Sequence, residues 1–292
     1  METKTCQNCK QNFVIEPEDF NFYEKIKVPP PTFCHECRLQ RKLTWRNERS
    51  LYRRNCGLCD KSVISVFSKD KPFPIYCHDC YRGNNWDPLS YRQEIDFLRP
   101  FLDQFFEIQQ KVPRQYALVF NNINSDYTNG AGYNKNCYLI FVSDHNEECF
   151  YSYNIYYCKN SIDLSTCFNC ELCYELLNCN NCRQCYFSID CRDSYDLFSS
   201  KDCVNCHDLV GCVGLRNKSY CIFNVQYSKE EYEKRIKDME IGSYNSIFTI
   251  KKQSLEFFKR YPVKYIHGAN NKDVTGDMVI RKMQKMFFQQ KV

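Results

Sequence analysis

The sequence lacks long apolar runs and glycine-rich phosphate loops, and it has only five histidines. No stretch of 18 consecutive apolar residues occurs, so we expect no membrane-spanning helix. Residues 1–6 have no apolar run behind a basic stretch, which argues against a secretory signal peptide. Neither a phosphate-binding loop nor a nucleophile elbow is present. These absences predict a binding protein that is not an enzyme, without membrane contact or a small-molecule substrate.

Cysteine, in contrast, is abundant, and the first eight of the 22 cysteines form four C-x-x-C pairs. Two residues between thiolates let a tight turn direct both sulfur atoms at one ion, and two such turns complete a tetrahedron. The interval between Cys59 and Cys77 falls within the range of known zinc sites. We predict two zinc ions, bound in a reducing, cytoplasmic environment by Cys6, Cys9, Cys34, Cys37, Cys56, Cys59, Cys77 and Cys80.

The spacing alone leaves open which pairs share an ion. Sequential pairing is the simplest arrangement, and a cross-brace between the first and third pairs is the alternative. His35 and His78 lie inside the second pair of each site. Because four cysteines already fill each tetrahedron, we expect both histidines to be exposed or to contact the ligands rather than to bind metal.

Basic side chains concentrate directly after Cys37. Residues 38–54 contain seven basic residues and one acidic residue, and a helix here would make the first site resemble a treble clef. This charge density is typical of a surface that contacts phosphates, with Trp45 and Tyr52 available to stack on bases. A solvated helix face whose arginines pair with carboxylates is the alternative. The candidate nucleic-acid-binding residues are Arg38, Arg41, Lys42, Trp45, Arg46, Arg49, Arg53 and Arg54.

A linker follows the cysteine pairs, with apolar residues at helical spacing between residues 91 and 112. Pro100 should begin a new helix or kink one, and Pro113 should end it. We expect helices that pack the zinc modules against the following part of the chain.

The remaining 14 cysteines, from Cys137 to Cys221, are all separated by multiples of three. Chance would place all of them in one frame about once in a million times, so a repeat is present. Residues in this frame are mostly Cys, Ser, Leu or Ile, and about half of the residues just before them are Asn or Asp, which tolerate left-handed backbone angles. A period of three favours a narrow coil with one small inward residue per triplet.

When the chain from Cys137 onward is written in rows of 12 residues, chemically similar residues fall in the same column. One column contains Cys167, Cys179, Cys191 and Cys203. In-register stacking about 4.8 Å apart is typical of a parallel β-solenoid, so we predict a solenoid with about 12 residues per coil. Another column, here named the apolar stripe, consists of Tyr138, Phe150, Ile162, Tyr174, Tyr186, Phe198, Val210 and Ile222.

The inward cysteines have a structural explanation, because a tight coil has too little room for a bulky apolar core and accommodates mainly cysteine and serine, with occasional leucine and isoleucine. Runs of C-x2-C-x2-C beginning at Cys167 and Cys179 superficially match iron–sulfur ligands, but neither has a fourth cysteine at the bacterial spacing. Disulfides between stacked cysteines, in an oxidising setting, are another alternative.

The apolar stripe needs a cover, which the C-terminal helices of this chain, a second copy or a protein partner could provide. The candidate partner-binding residues are Tyr138, Phe150, Tyr174, Tyr186 and Phe198.

The C-terminal part begins with a capping box at residues 228–231, which should start a helix that ends before Gly242. A second helix is expected at about residues 250–260 and a terminal helix at about 280–290, and together they could cap the solenoid. The predicted fold is therefore mixed. It has four-cysteine zinc-ribbon or treble-clef-like modules at residues 1–55 and 56–90, a helical linker at 91–118, the solenoid at 119–226 and a helical C-terminal region and cap at 227–292.

Distinctive segments occur at residues 28–34 (VPPPTFC), 46–49 (RNER), 70–77 (DKPFPIYC), 215–224 (LRNKSYCIFN), 267–268 (HG) and 275–277 (TGD). In these segments the chain resembles an uncharacterised family of zinc-ribbon proteins with cysteine-rich repeats, common in reduced bacterial genomes. The resemblance extends over nearly the whole chain and implies zinc binding, without an established activity. Family members continue with further repeats after the TGD segment, so we expect a second solenoid to be absent or truncated here.

Three functions follow from these patterns. The first is nucleic-acid binding through the zinc modules, with the solenoid as a rigid scaffold. The second is a structural or assembly role, in which the apolar stripe docks on protein. The third, a thiol oxidoreductase, ranks last because interior cysteines are usually inert.

Overall fold

The computed structural model describes residues 1–44, 47–262, 267–269 and 278–280. The chain forms two compact units, of which the first comprises residues 1–120 and 126–131 and the second residues 121–125 and 132–292. Within residues 1–44 and 47–262, no helix has both the length and the apolar character needed to cross a membrane.

The first unit contains two antiparallel hairpins, each followed by a helix. Strands β1 and β2 form the first hairpin, and β3 and β4 form the second. Because β3 pairs with β4, residues 52–55 lie with the second group of cysteines. The elements are β1 (Glu2–Thr5), β2 (Asn12–Ile15), α1 (Pro17–Lys25), α2 (His35–Leu43), β3 (Tyr52–Asn55), β4 (Ser62–Ser65), β5 (Ile75–Tyr76), α3 (His78–Arg82), a 3-10 helix (Pro88–Tyr91), α4 (Phe101–Gln109), β6 (Arg114–Gln115) and β7 (Val119–Phe120).

A single α-helix, α4, occupies the segment predicted as a helical linker. It begins directly after Pro100, whose ring fixes a backbone angle that suits a helix start. Most of its apolar side chains are exposed, and no residue of α4 is buried. The predicted helix start is therefore confirmed, and the packing role of the linker stays a prediction.

The second unit confirms the β-solenoid. Parallel partners are 12 residues apart, as between Leu164 and Leu176 and between Leu197 and Leu209. Strand β8 (Asn129–Gly132) belongs to the first unit except for its last residue. The strands of the solenoid sheet that lie within the second unit are β9 (Phe141–Asp144), β10 (Glu147–Phe150), β11 (Tyr153–Tyr156), β12 (Lys159–Phe168), β13 (Tyr174–Leu177), β14 (Asn180–Arg183), β15 (Arg192–Phe198), β16 (His207–Val210), β17 (Ser219–Ile222) and β18 (Val225–Gln226).

Left-handed corners close each coil. From Tyr133 to Asp208, every third residue has a φ angle between 47° and 57°. Half of these residues are Asn or Asp, which accept this conformation more readily than other non-glycine residues. Four corners per turn give each coil four short sides, and this geometry produces the period of three in the sequence.

The interior of the solenoid consists mainly of cysteine and serine side chains that bond to backbone groups, together with buried leucines and isoleucines such as Leu164 and Ile155. The Sγ atom of Cys173 lies 3.2 Å from the carbonyl oxygen of Glu171 and 3.5 Å from that of Cys182. The hydroxyl of Ser161 donates to the carbonyl of Lys159 at 2.7 Å and accepts from the backbone N–H of Cys173 at 3.1 Å. Cysteine and serine suit these positions because each is small and carries a donor close to the backbone.

One outer face of the solenoid has charges of alternating sign. Successive coils place side chains in one column, and Lys135 donates to Glu147 at 2.7 Å while Arg183 lies 4.0 Å from Glu171. We name this column the charge ladder; its register partners in order are Lys135, Glu147, Lys159, Glu171 and Arg183.

Two C-terminal helices, α5 (Lys229–Asp238) and α6 (Tyr244–Phe258), cover part of the apolar stripe. Phe198, Val210 and Ile222 are buried together with Tyr232 of α5 and Ile250 of α6. The helix predicted from the capping box begins as expected, with the hydroxyl of Ser228 accepting from the backbone N–H of Glu231 at 3.2 Å. The other end of the stripe is partly open, since Tyr138, Tyr174 and Tyr186 are 39%, 37% and 37% exposed.

The last described elements are β19 (His267–Ala269) and β20 (Met278–Ile280), which pair in parallel. The terminal helix predicted at about residues 280–290 lies outside the described residues.

Candidate metal centres

The first group of cysteines is assembled by the β1–β2 hairpin and the start of α2. The turn between the strands carries Cys6 and Cys9, and it closes when the backbone N–H of Cys6 bonds to the carbonyl of Gln11 at 2.9 Å. Lys10 adopts a left-handed conformation, with a φ angle of 62°, which lets the chain reverse. Cys34 is the N-cap residue of α2, and Cys37 lies in its first turn.

The second group repeats this arrangement with the β3–β4 hairpin and α3. The backbone N–H of Cys56 bonds to the carbonyl of Lys61 at 2.9 Å, and Asp60 has a φ angle of 59°. Cys77 is the N-cap residue of α3, in nearly the same backbone conformation as Cys34. Two segments that have little sequence in common outside their C-x-x-C pairs thus form the same arrangement of hairpin and helix.

The sulfur geometry of both groups suits a tetrahedral ion. In each group all four Sγ atoms lie within 4.8 Å of one another. The Sγ atoms of Cys9 and Cys34 are 3.7 Å apart, and those of Cys59 and Cys77 are 3.8 Å apart. A tetrahedron of thiolates about 2.3 Å from zinc requires sulfur atoms about 3.8 Å apart. Each group could therefore hold a metal ion, and the pairing is sequential rather than cross-braced.

Backbone N–H groups stabilise the ionised form of one cysteine in each centre. The Sγ atom of Cys6 accepts from the backbone N–H of Cys34 at 3.3 Å, and the Sγ atom of Cys56 accepts from that of Cys77 at 3.2 Å. Burial acts to raise the pKa of both thiols, but the backbone hydrogen bonds together lower each pKa to about 6. Each centre thus holds an ionised sulfur ready for a cation.

Neighbouring sulfur atoms have the opposite effect on other ligands. A hydrogen bond from the backbone of Gln11 acts to lower the pKa of Cys9, yet burial and the adjacent sulfur atoms raise it to about 11. The Cys59 sulfur, followed by burial, raises the pKa of Cys80. A cation that binds four thiolates must therefore displace protons from part of each group.

Other side chains contact the centres without joining them. Asn8 donates from Nδ2 to the Sγ atom of Cys37 at 3.3 Å, and Leu58 occupies the corresponding position of the second turn. His35 is exposed beside Glu36, and His78 lies edge-on to the Phe120 ring. Neither histidine belongs to a sulfur group. The contact of Asn8 was not predictable, because the two middle residues of a C-x-x-C pair follow no fixed pattern.

The candidate nucleic-acid-binding residues are distributed over two modules. Arg38, Arg41 and Lys42 are exposed on α2 at spacings that place them on one face, and the Arg41 guanidinium lies 5.3 Å from the centre of the Phe33 ring. Arg49 is exposed in the loop before β3. Trp45 and Arg46 lie outside the described residues.

The two arginines of β3 are held within the second module. Arg54 donates to the carbonyls of Ser68 and Phe73 at 3.1 and 3.2 Å, which ties β3 to the loop before β5. Arg53 donates to the hydroxyl of Tyr127 at 3.3 Å. Arg54 therefore has a structural role that the density of charge in the sequence did not reveal.

An exposed apolar segment precedes and includes α4, and the sequence did not predict its exposure. Phe97 and Leu98 are 92% and 96% exposed, and Leu102 is 73% exposed. Their helical spacing is the same signal that a buried helix would give, so periodicity alone could not separate the two cases.

No model of a protein family matches the chain, and no curated protein matches it significantly.

Proposed function

We propose that this chain is a zinc-stabilised, nucleic-acid-binding protein whose two four-cysteine centres hold structural zinc. A closed set of four thiolates leaves no open coordination position, so the ion would fix the fold rather than catalyse a reaction. The resemblance to zinc-ribbon proteins with cysteine repeats supports zinc over other ions. Thiol ligands kept reduced are consistent with a cytoplasmic location.

The basic face of α2 carries the nucleic-acid proposal. Arg38, Arg41 and Lys42 extend from a helix whose first turn belongs to the first metal centre. Among the described residues, no carboxylate lies within ion-pair distance of these three side chains. Three exposed cations on one short, metal-held helix form a surface suited to phosphate oxygens.

The charge distribution favours the N-terminal modules over the solenoid as the binding surface. Residues 121–226 contain 12 acidic and 7 basic residues, whereas residues 1–120 contain 15 acidic and 19 basic residues. An acidic solenoid repels a phosphate backbone, so it would serve as a scaffold.

Binding of labelled single-stranded RNA and duplex DNA, measured by fluorescence anisotropy, tests the proposal. We expect affinity to fall steeply between about 50 and about 200 mM salt. The triple variant Arg38→Gln, Arg41→Gln, Lys42→Gln should bind at least about tenfold more weakly than the parent. Lys234→Gln, Lys237→Gln, Lys252→Gln removes the same charge from α5 and α6 and is the control. Equal binding by both triple variants, or no binding at low salt, would refute the proposal.

A second candidate function, self-association through the solenoid, is favoured by the open end of the apolar stripe. Tyr138, Tyr174 and Tyr186 are partly exposed, whereas Phe198 is buried beneath α5 and α6. If two copies pair through this face, Tyr174→Lys should lower the mass measured by light scattering from dimer to monomer. Tyr157→Lys, an exposed corner residue outside the apolar stripe, is the matched control. A parent protein that is monomeric at all concentrations would rule out this second function.

A further inference from the structure

Two of the 22 cysteines are exposed, and they occupy the same position in the two metal centres. Cys9 and Cys59 are exposed, while all the other cysteines are buried. Each is the second cysteine of its hairpin turn, followed by a residue in a left-handed conformation. The exposure is therefore a property of the arrangement of hairpin and helix that both modules share.

Each exposed cysteine lies close to a buried partner at the start of a helix. The Sγ atoms of Cys9 and Cys34 are 3.7 Å apart, and those of Cys59 and Cys77 are 3.8 Å apart. A disulfide requires sulfur atoms about 2.05 Å apart, so each pair would need to approach by less than about 2 Å. The hairpin turn that carries the exposed cysteine is at the surface and can supply this movement.

The structure assigns Cys9 and Cys59 as sites of oxidation by hydroperoxides, each forming a disulfide with its helix-cap partner, Cys34 or Cys77. This inference rests on the proposed metal binding, because it predicts that oxidation releases the bound metal ion. A centre that loses two of four thiolate ligands no longer completes a tetrahedron. The start of α2, which presents the basic face, would then lose its metal attachment.

The chemistry balances with one hydroperoxide for each centre. The Cys9 sulfur, which is a thiolate when the centre holds its ion, attacks an oxygen of hydrogen peroxide, an S–O bond forms, the O–O bond breaks and hydroxide leaves. The Cys34 thiolate attacks the Cys9 sulfur, an S–S bond forms, and the S–O bond breaks with loss of a second hydroxide. The two sulfur atoms lose two electrons, and the two hydroxide ions take up two protons to become water. The same steps apply to Cys59 and Cys77.

The interior of the solenoid explains why oxidation would be selective. Cys191 and Cys203 are fully buried, and their Sγ atoms face carbonyls of their own backbone at 3.4 Å. A peroxide molecule cannot reach a sulfur atom that has no exposed surface, so these thiols are inert while the coil stays folded. A peroxide in solution therefore reacts with the exposed Cys9 and Cys59 more readily than with the buried solenoid thiols.

Zinc-loaded protein comprising residues 1–292, treated anaerobically with hydrogen peroxide, tests the inference. Released zinc is followed with a colorimetric chelator, and disulfides are mapped by mass spectrometry of peptides. We expect release of both ions, with Cys9–Cys34 and Cys59–Cys77 as the disulfides. The variants Cys9→His and Cys59→His keep four ligands in each centre but remove one sulfur, so each should release one ion instead of two.

The outcomes separate this inference from the proposed function. A protein that binds two zinc ions and retains them under peroxide, or that forms disulfides among solenoid cysteines instead, overturns the inference alone. Unchanged release of both ions by the double variant Cys9→His, Cys59→His also overturns it. A protein that never takes up zinc overturns the zinc proposal and the predicted release of the ion, while peptide mapping still decides whether the two cysteine pairs form.

Discussion

The Nζ atom of Lys251 lies 4.2 Å from the centre of the Phe187 ring. Lys251 belongs to α6, and Phe187 is a corner residue of the solenoid. Lys251 also bonds to Glu175, which occupies the same corner one coil earlier. A single cation thus joins a covering helix to two successive coils.

Replacing this cation should loosen the cover of the apolar stripe. We expect Lys251→Ala to lower the free energy of unfolding by about 1 kcal/mol, since it removes a cation–π contact and a partly exposed ion pair. Lys252→Ala, at an exposed neighbouring position, should change it by less than about 0.5 kcal/mol. Urea unfolding of both variants measures the difference, and equal values would show that the Lys251 contacts do not stabilise the fold.

The low pKa of Cys6 and Cys56 should be visible in the protons released on zinc binding. At about pH 7.5 both thiols are already ionised in the metal-free protein, because each pKa is about 6. At about pH 5 both are protonated, so zinc must displace roughly one additional proton per ion. Calorimetry in buffers of different ionisation enthalpy counts these protons. A release that does not change with pH would contradict the assigned thiolates.

Serine should replace cysteine inside the solenoid at low cost. Ser194 stands in the same column as Cys182 and bonds to the carbonyl of Arg192 at 2.7 Å. We expect Cys182→Ser to cost about 1 kcal/mol or less, and Cys182→Phe to cost about 3 kcal/mol or more, because the narrow coil has no room for a ring. Chemical unfolding under reducing conditions tests both variants. Similar losses for the two would mean that the thiol itself, rather than its size, stabilises the core.

The left-handed corners should be sensitive to β-branched residues. Asn160 is an exposed corner with a φ angle of 47°. Asn160→Val should lower the free energy of unfolding by about 1–2 kcal/mol, whereas Asn160→Gly should be close to neutral. Thermal unfolding distinguishes the two, and a neutral valine would show that the corner can relax.

The sequence predicts the solenoid because two independent patterns describe the same coil. The inward cysteines define the period, and the Asn and Asp residues at corners such as Asn160 and Asp163 explain how the chain turns there. The composition of the two four-cysteine groups, each of which could hold a metal ion, was predictable from the C-x-x-C pairs. Their sequential pairing became clear only in the structure, where the hairpins bring the pairs together.

Strand β3 and the start of helix α6 were not predicted, because the local sequence pattern at each is weak. Strand β3 has the sequence YRRN, in which basic residues concealed a short hairpin strand and the structural bonds of Arg54. Helix α6 begins at Tyr244, before the predicted residue 250, because Ser243 caps it by accepting from the backbone N–H of Ser246. A lone serine without an acidic residue three positions later is a weak indication of a helix start.

The charge ladder disfavours misaligned stacking of the solenoid coils during folding. If a coil stacks on the next coil but one, every inward cysteine of the column from Cys167 to Cys203 still meets another cysteine, so the core cannot distinguish correct from incorrect alignment. In the charge ladder the same error places Lys135 beside Lys159 and Glu147 beside Glu171. Like charges in adjacent coils repel one another, so a misaligned coil is disfavoured. Surface charges that add little to stability can thus select one alignment among several with the same interior.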